Sequence, residues 1–539
     1  MGEETNGMRR RTLVVFLALI AVIGTLALPV ATAEESAASP VPVPTVTGPI
    51  ADDVGIKGEP WFDPPFVLEE AEPFPYVSEE FFVEGAARDL LGEGADAGYK
   101  TRILVVRPQS ADDFSGTVVA EWDNVTVQAA LNPLFMWDHP YLLREGHAFV
   151  SVSAQEVGVC CSPLSHNLWD PIRYGDLTHP GDDYSFDIYA QVVEALRQDT
   201  AADDTGRPII GGLDVGNVIA TGTSQSASRL HTFVDRIQGL HTDNIDGFLL
   251  DAGGSKTYSR APVVPVLHFL SEDGLSAVEP NVDGASLMGT DNDYRLWEVP
   301  GASHADAEFS RYIEDGLYLT HILEAPPLPW KQWDQRRYSF RYGDDGLSLR
   351  AGCQPLGYGD NTYPRRYAAR AAMDQLIRWT TGEVADTSDD KPGKGNGRGN
   401  NPKKNPPTVP FVPEQPPRVE YDSAGEPLRD ANRQIVGGVR LPHIDVPVAD
   451  YLATTCGLFG HTIGYDPLTL LSLYPTTGTY VSQMEAAIDR ALDSGAMLEP
   501  EADELRVQLD TAVIPAYREP QLPGDVWEGA QHFFLSLVG

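Results

Sequence analysis

The sequence predicts an α/β protein with a mostly parallel central sheet flanked by helices and a helical C-terminal extension packed on it. Short, almost wholly apolar runs alternate with helix-like segments between residues 76 and 385, as expected for strands covered on both faces of a sheet. Helical periodicity returns near the carboxyl end. The chain has 539 residues, 42% of them hydrophobic, so it is long enough to bury a large core.

The amino end has the composition of a secretory signal peptide. Arg9–Arg11 precede an uncharged run, Thr12–Val30, and the small residues Ala31–Ala33 suit a cleavage site. Residues 1–33 are therefore expected to be removed, leaving a secreted protein without stable membrane association. Either the general or the twin-arginine export route fits this start. An uncleaved anchor is the alternative, because about 19 apolar residues could span a bilayer.

Charge and cysteine content restrict the possible partners. The formal net charge of −39 repels nucleic acid and anionic membrane surfaces. An even number of cysteines in an oxidising compartment favours one or two disulfides, with the pairing left open. The cysteines show no repeated C-x-x-C spacing, so we expect no zinc site, and no cofactor is implied. They are Cys160, Cys161, Cys353 and Cys456.

Eight strands and one clear helix are expected in the core. Residues 34–75, rich in Pro, Ala and Glu, are expected to be an irregular leader, and the α/β core then covers residues 76–385. The expected strands are Phe81–Val83, Thr101–Val106, Gly116–Trp122, Ala148–Val152, Val218–Ala220, Gly247–Leu250, Val263–Leu270 and Tyr294–Val299. The helix, Tyr184–Leu196, has apolar residues at helical spacing.

The chain changes character after residue 385. Residues 386–417 are dominated by Asp, Lys, Gly, Asn and Pro and are expected to form a flexible loop. A phosphate-binding loop is excluded, because no strand precedes the glycines. Residues 418–539 are expected to be mainly helical and packed on the core, with helices at Tyr480–Ser494 and Ala502–Ala516.

The stretch VIATGTSQSASRLHTF favours a nucleophilic serine. An apolar run ends at Ser224, and a helix-like segment follows at once. A serine on a sharp strand-to-helix turn needs small residues two positions before and after it, and Gly222 and Ser226 occupy those positions. The alternative is an ordinary buried strand that meets a Ser-rich helix start.

Partners for this serine follow in the chain order of a hydrolase triad, serine, acid and histidine. The run VVPVLHFLSEDG ends with Glu272 and Asp273, either of which could orient an imidazole. In RLWEVPGASHAD, His304 follows a strand and a Pro-Gly turn, on a loop of small residues. An imidazole there could accept the serine proton.

Other histidines have less suitable settings, and the oxyanion donors are only partly defined. His231 lies two helical turns beyond the serine, roughly 10 Å away; His268 is inside a strand and His321 is in a helix-like segment. An oxyanion hole needs two backbone N–H groups. They are expected from Gln225 and from either Asn124 or Val125.

The sequence resembles a family of exported bacterial proteins, the alpha/beta hydrolase domain family, over roughly residues 76–539. The strings that carry the resemblance are VVAEWDNVT, GHAFVSVSAQEVGV, DPIRYGDLTHPGDDYSFDIYAQ, GTSQSASRL, RLWEVPGASHAD, GGVRLPHIDVPVADYL and CGLFGHTIGYD. The resemblance implies the α/β-hydrolase fold, with Ser224 as nucleophile and His304 as base. It favours Glu272 as the acid, because the family has Glu in the matching S-E segment. This sequence departs just after it, with Asp273 and Gly274 where the family usually has a small residue and then Asp, so Asp273 remains the alternative acid.

The expected function is that of a secreted, carboxylesterase-like serine hydrolase, which cleaves a small-molecule or polymeric ester through an acyl-enzyme. A peptidase or acyltransferase with the same triad, or a catalytically silent binding protein, are the alternatives, since fold does not fix function. Two sets of residues could line the substrate site or be structural. They are Arg173, Asp176, His179 and Asp183 on one segment, and Trp137, Trp169, Trp330 and Trp333.

Overall fold

The computed structural model describes residues 40–58, 60–61, 75–198, 208–289, 292–312, 361–383, 410–455 and 457–510. The expected signal peptide, residues 1–33, and most of the expected flexible loop lie outside these ranges. So do Cys353, Cys456, His321, Trp330 and Trp333. Of the helices within the described ranges, none is both long and apolar enough to cross a membrane.

The described strands begin with a three-residue edge strand and end with a short hairpin. They are β1 (Thr45–Thr47), β2 (Tyr76–Ala87), β3 (Ala97–Pro108), β4 (Thr117–Trp122), β5 (Ala148–Val152), β6 (Asn217–Thr223), β7 (Gly247–Asp251), β8 (Thr257–Tyr258), β9 (Val266–Leu270), β10 (Asn281–Val282), β11 (Ala285–Ser286), β12 (Tyr294–Glu298), β13 (Ala449–Leu452) and β14 (His461–Gly464).

Nine of the described strands form one sheet in the order β1-β2-β3-β5-β4-β6-β7-β9-β12. Each neighbouring pair from β5 to β12 is parallel, whereas β1, β2 and β3 pair antiparallel at one side. Every residue of the six parallel strands is buried, as their apolar sequences predicted. The expectation of a mostly parallel central sheet is confirmed.

Helices cover both faces of the sheet. They are α1 (Pro133–Arg144), α2 (Glu156–Val159), α3 (His166–Trp169), α4 (Ser185–Arg197), α5 (Gln225–Arg236), α6 (Ala307–Tyr312), α7 (Arg365–Thr381), α8 (Pro442–Asp445), α9 (Pro467–Leu473), α10 (Thr477–Asp493) and α11 (Glu499–Asp510). Apolar residues of α4 and α5 share one core cluster with Val118 and Ala120. Those of α1, α7, α10 and α11 share another with Val119 and Ile219. Neighbouring strand residues thus belong to opposite faces, as a pleated strand requires.

The carboxyl-terminal part packs on the face of the sheet that includes Val119 and Ile219. The two expected helices are present as α10 and, within the described residues, α11. Thr476 caps α10 by accepting a hydrogen bond from the Thr479 amide, and Tyr480, Met484 and Ile488 form its buried face. The hairpin of β13 and β14 precedes these helices, so this part is not helical throughout.

Two segments differ from the sequence expectation. In the leader, which we expected to be irregular, β1 pairs with β2 and buries Val46, whose exposed fraction is 2%. Residues 410–417, the end of the expected flexible loop, lie against β12. There the Gln415 side-chain amide bonds both the backbone N–H and the carbonyl of Leu296, at 2.9 and 2.6 Å. A buried valine therefore fixes part of the leader, and a pair of hydrogen bonds from one glutamine fixes the end of the loop. The composition of these two segments predicted neither contact.

Candidate active site

Ser224 occupies a strained turn between β6 and α5. Its φ of 61° and ψ of −114° lie in a region that residues other than glycine rarely adopt. The Ser224 amide donates a hydrogen bond to the Asp251 carbonyl at 2.8 Å, at the end of the neighbouring strand β7. Backbone strain of this kind is characteristic of functional sites, where the surrounding structure holds it in place.

Small residues allow this turn to form. A Cβ atom on Gly222 would lie 3.0 Å from the backbone and hydroxyl of Ser226, so a larger residue would press against the helix start. The Ser226 hydroxyl accepts a hydrogen bond from the Thr223 amide and donates one to the Thr223 carbonyl, each at 2.9 Å. Serine at this position therefore holds the turn as well as fitting it.

His304 forms its side-chain hydrogen bond with Asp273. Nδ1 of His304 lies 2.9 Å from Oδ2 of Asp273, in the short turn that follows β9. Burial acts to raise the pKa of Asp273, but the His304 imidazole and the Ser271 hydroxyl stabilise the carboxylate, so the pKa lies below its usual value. Asp273 is thus an anionic acceptor suited to holding the Nδ1 edge of the imidazole.

Glu272, the acid that the family resemblance favoured, has hydrogen-bond partners other than the His304 imidazole. One carboxylate oxygen accepts a hydrogen bond from the Gly301 amide at 2.9 Å, and the other pairs with Arg429 from the carboxyl-terminal part. Its exposed fraction is 5%. The contact that we expected of Glu272 is therefore made by Asp273, because Arg429 and the histidine loop itself engage the glutamate.

The serine, the acid and the histidine lie at one edge of the sheet. Ser224 follows β6, Asp273 follows β9 and His304 follows β12, and the carboxyl ends of parallel strands meet at that edge. Within the described residues the Ser224 hydroxyl has no hydrogen-bond partner, so it is not bonded to His304. Hydrogen bonds of this kind are often long in unliganded enzymes and shorten when substrate binds.

Asn124 and Val125, the alternative candidates for the second oxyanion donor, are not equivalent. The Asn124 amide donates to the Leu131 carbonyl at 2.8 Å, whereas the Val125 amide has no partner among the described residues. Asn124 instead contributes its side chain, which donates to the Thr223 carbonyl at 2.8 Å. Gln225 begins α5, where backbone N–H groups lack intrahelical acceptors. Val125 and Gln225 are therefore the available amides.

Buried carboxylates anchor the loop that carries Val125. Asp123 accepts hydrogen bonds from the hydroxyls of Ser151 and Ser153 and from the amide of Asn132, at 2.7–2.8 Å. Glu121 accepts the first free amides of α1 at 2.9 and 3.1 Å. Burial raises the pKa of both Asp123 and Glu121, and these hydrogen bonds oppose the rise because they stabilise the carboxylates.

Two site residues were not found by sequence reasoning. Asp251, at the end of β7, bonds the Ser224 amide through its carbonyl and the Thr223 hydroxyl through its carboxylate. Arg365, the first residue of α7, pairs with that carboxylate and donates to the His304 carbonyl at 2.9 Å. An acid at a strand end could have indicated Asp251, but nothing in the local sequence indicates Arg365.

The remaining candidates have mainly structural contacts. His231 bonds the Thr257 carbonyl, and His268 bonds Gly253 and Tyr294, as expected of a packed strand histidine. Arg173 pairs with Glu80, and His179 bonds the Ala154 carbonyl. Asp176 and Asp183 are exposed, and Trp137 and Trp169 are buried.

The adjacent cysteines are not joined to each other. Cys160 and Cys161 are free thiols within the described part of the chain. In that part, the one group of three potential metal ligands is Glu156, Cys160 and Cys161, whose ligand atoms lie within 4.8 Å of one another. Burial, followed by the neighbouring thiol, raises the pKa of Cys160 to about 12.

Comparison with known proteins gives a family match. A family model described as "Alpha/beta hydrolase domain" matches residues 45–507. No curated protein matches the chain significantly. One similar solved structure is that of a Klebsiella pneumoniae subsp. pneumoniae protein assigned as a dienelactone hydrolase. It is 11% identical, the match covers 48% of this chain and 97% of that one, and the TM-score is 0.23.

Proposed function

Because the chain belongs to the alpha/beta hydrolase domain family, we propose that it is a serine hydrolase with Ser224 as its nucleophile. The observation that carries the proposal is the 2.9 Å hydrogen bond between His304 and Asp273, at the same sheet edge as the strained turn of Ser224. A histidine oriented by a carboxylate, together with a serine on such a turn at the same end of the sheet, has the parts that acyl transfer requires.

The proposed reaction passes through an acyl-enzyme. Ser224 Oγ attacks the substrate carbonyl while His304 Nε2 accepts the hydroxyl proton, and Asp273 stabilises the imidazolium that forms. The Gln225 and Val125 amides donate to the oxyanion. His304 then protonates the leaving alcohol, and water, activated by the same imidazole, hydrolyses the acyl-enzyme and restores Ser224.

We propose a carboxylic ester as the substrate and export as the route by which the enzyme meets it. A peptidase or acyltransferase would use the same groups, and a silent binding protein would keep only the fold. Assay of a matched ester and amide, with and without an alcohol acceptor, separates these reactions. A panel of short-acyl, long-acyl, aryl and uronate esters then defines the substrate, and amino-terminal sequencing of the exported protein tests cleavage after Ala33.

Covalent capture by a fluorophosphonate tests the nucleophile. The folded wild-type protein should be labelled on Ser224, and Ser224→Ala should abolish labelling and ester hydrolysis. Ser228→Ala is a matched control, because Ser228 is exposed one turn further along α5, and labelling should persist there. Undiminished labelling of folded Ser224→Ala would exclude the assignment.

A further inference from the structure

We propose that Arg365 is a positioning residue that holds the serine turn and the histidine loop in a fixed relation. The inference rests on the proposed roles of Ser224 and His304. Arg365 is fully buried, and its guanidinium pairs with the Asp251 carboxylate through Nη2. Through Nη1 it donates to the His304 carbonyl at 2.9 Å and the Ser303 carbonyl at 3.4 Å. One side chain therefore contacts both the histidine loop and the strand beside the serine.

Asp251 carries the connection from Arg365 to the nucleophile. Its backbone carbonyl accepts the Ser224 amide at 2.8 Å, and its second carboxylate oxygen accepts the Thr223 hydroxyl at 3.0 Å. These two bonds fix the residue with positive φ and the residue before it. A displacement of the Asp251 carboxylate would thus move the backbone that presents the serine hydroxyl.

Aromatic packing fixes the guanidinium itself. Its central carbon lies 4.0 Å from the ring centre of Trp137 and 5.1 Å from that of Phe269. Trp137 is held in turn by a 3.1 Å hydrogen bond from its indole N–H to Asp306, two residues beyond His304. A cation that contacts two aromatic rings and pairs with a carboxylate has little freedom, so we expect the relation that it imposes to be rigid.

Arginine suits this position better than lysine. A guanidinium presents donors in several directions within one plane, and two of its nitrogens here serve different elements. A lysine ammonium group has a single nitrogen. It therefore cannot donate to the Asp251 carboxylate and to the His304 carbonyl from two separate atoms. Misplacement of reacting groups by about 1 Å can cost about 100-fold in rate, so loss of one contact should affect catalysis.

The main alternative is that Arg365 is only a structural ion pair. Arg370 on the same helix provides the comparison, because it is also buried and bonds the Trp137 carbonyl at 2.9 Å and Glu501 at 3.1 Å. It has no hydrogen bond to the serine turn or to the histidine loop. A structural role predicts that changes at the two arginines reduce activity only as far as they reduce the folded fraction.

The test compares Arg365→Lys, Arg365→Met and Arg370→Met in the full-length protein. For each variant, thermal unfolding gives the stability, and fluorophosphonate labelling gives the rate per folded molecule. Turnover of a chromogenic short-chain ester gives kcat and KM. We expect kcat and the labelling rate to fall about 100-fold in Arg365→Met and about 10-fold in Arg365→Lys, with KM within twofold. Arg370→Met should lower the melting temperature but keep kcat within twofold.

A double variant covers the case in which Arg365→Met does not fold. Removal of one partner leaves the buried Asp251 carboxylate unpaired, whereas Arg365→Met with Asp251→Asn removes both charges. We expect this pair to restore folding and leave kcat low. Wild-type kcat per folded molecule in the double variant and in Arg365→Lys would overturn the inference. Failure of the wild-type protein to label would instead overturn the proposed function, which separates the two outcomes.

Discussion

The imidazole Nδ1 of His304 lies 2.9 Å from a carboxylate oxygen of Asp273, while the adjacent Glu272 pairs with Arg429. The two acids are neighbours in sequence, yet one is directed to the histidine and the other into the carboxyl-terminal part. This division of contacts makes their roles separable by conservative substitution.

We expect Asp273→Asn to lower kcat by a factor of about 1,000 or more, because an amide can hold the imidazole in the wrong tautomer and cannot stabilise its charged form. Glu272→Gln is the matched control. It should lower the melting temperature, since Arg429 loses its anionic partner, and reduce kcat less than tenfold. Steady-state turnover per labelled active site measures kcat for both variants, and thermal unfolding gives the melting temperature. A larger loss of kcat in Glu272→Gln than in Asp273→Asn would assign the acid to Glu272.

Asp273 should keep its negative charge between pH 8 and pH 5. Burial acts to raise its pKa, but the His304 imidazole and the Ser271 hydroxyl stabilise the carboxylate, so the pKa lies below the usual carboxyl value. The ratio of wild-type to Asp273→Asn kcat should therefore stay large from pH 8 to pH 5. A ratio that approaches one toward pH 5 would contradict an ionised Asp273 in that interval.

Gly253 should be intolerant of even one methyl group. A Cβ atom at this position would lie 2.2 Å from the Ser224 carbonyl oxygen, which is backbone and cannot move without changing the serine turn. We expect Gly253→Ala to cost about 1–3 kcal/mol in the free energy of unfolding and to slow fluorophosphonate labelling of the folded protein. Gly98→Ala, whose nearest contact would be 4.0 Å, is the control and should label normally.

Buried Asp138 should make stability depend on pH. Burial raises its pKa to about 8, with Arg370 and Arg365 opposing the rise. The folded state therefore binds a proton that the unfolded state releases near pH 4, so this group lowers stability as the pH rises from about 4 through 8. Asp138→Asn removes the titration and should raise the melting temperature more at pH 8 than at pH 5. An equal gain at both pH values would contradict this account.

The local pattern of the chain predicted the sheet and the serine turn. Largely apolar runs have few alternatives to a buried parallel strand, and the six parallel strands that form within them are buried at every residue. Likewise, a serine between Gly222 and Ser226 after such a run suits a tight turn for steric reasons. Local sequence therefore predicts a structural feature when the residues that produce the feature lie within a few positions of it.

Contacts between distant segments decided the rest. The choice between Glu272 and Asp273 depends on Arg429, which lies 157 positions further along the chain. Arg365 and Asp251 are 114 positions apart, so neither predicts the other from local composition. The short strand β1 was missed because three β-branched residues in a Pro-rich leader are too few to show the alternation of a strand.

Within the described residues, each outer edge of the large sheet has a feature that limits further pairing. At one side the terminal strand is only three residues long, and at the other the amide of Gln415 occupies the hydrogen-bonding groups of Leu296. Exposed strand edges are where folded proteins recruit one another into aggregates. A single glutamine from the end of a polar loop thus occupies the backbone groups of Leu296 that an incoming strand would need, and we expect it to hinder pairing of this strand with another chain.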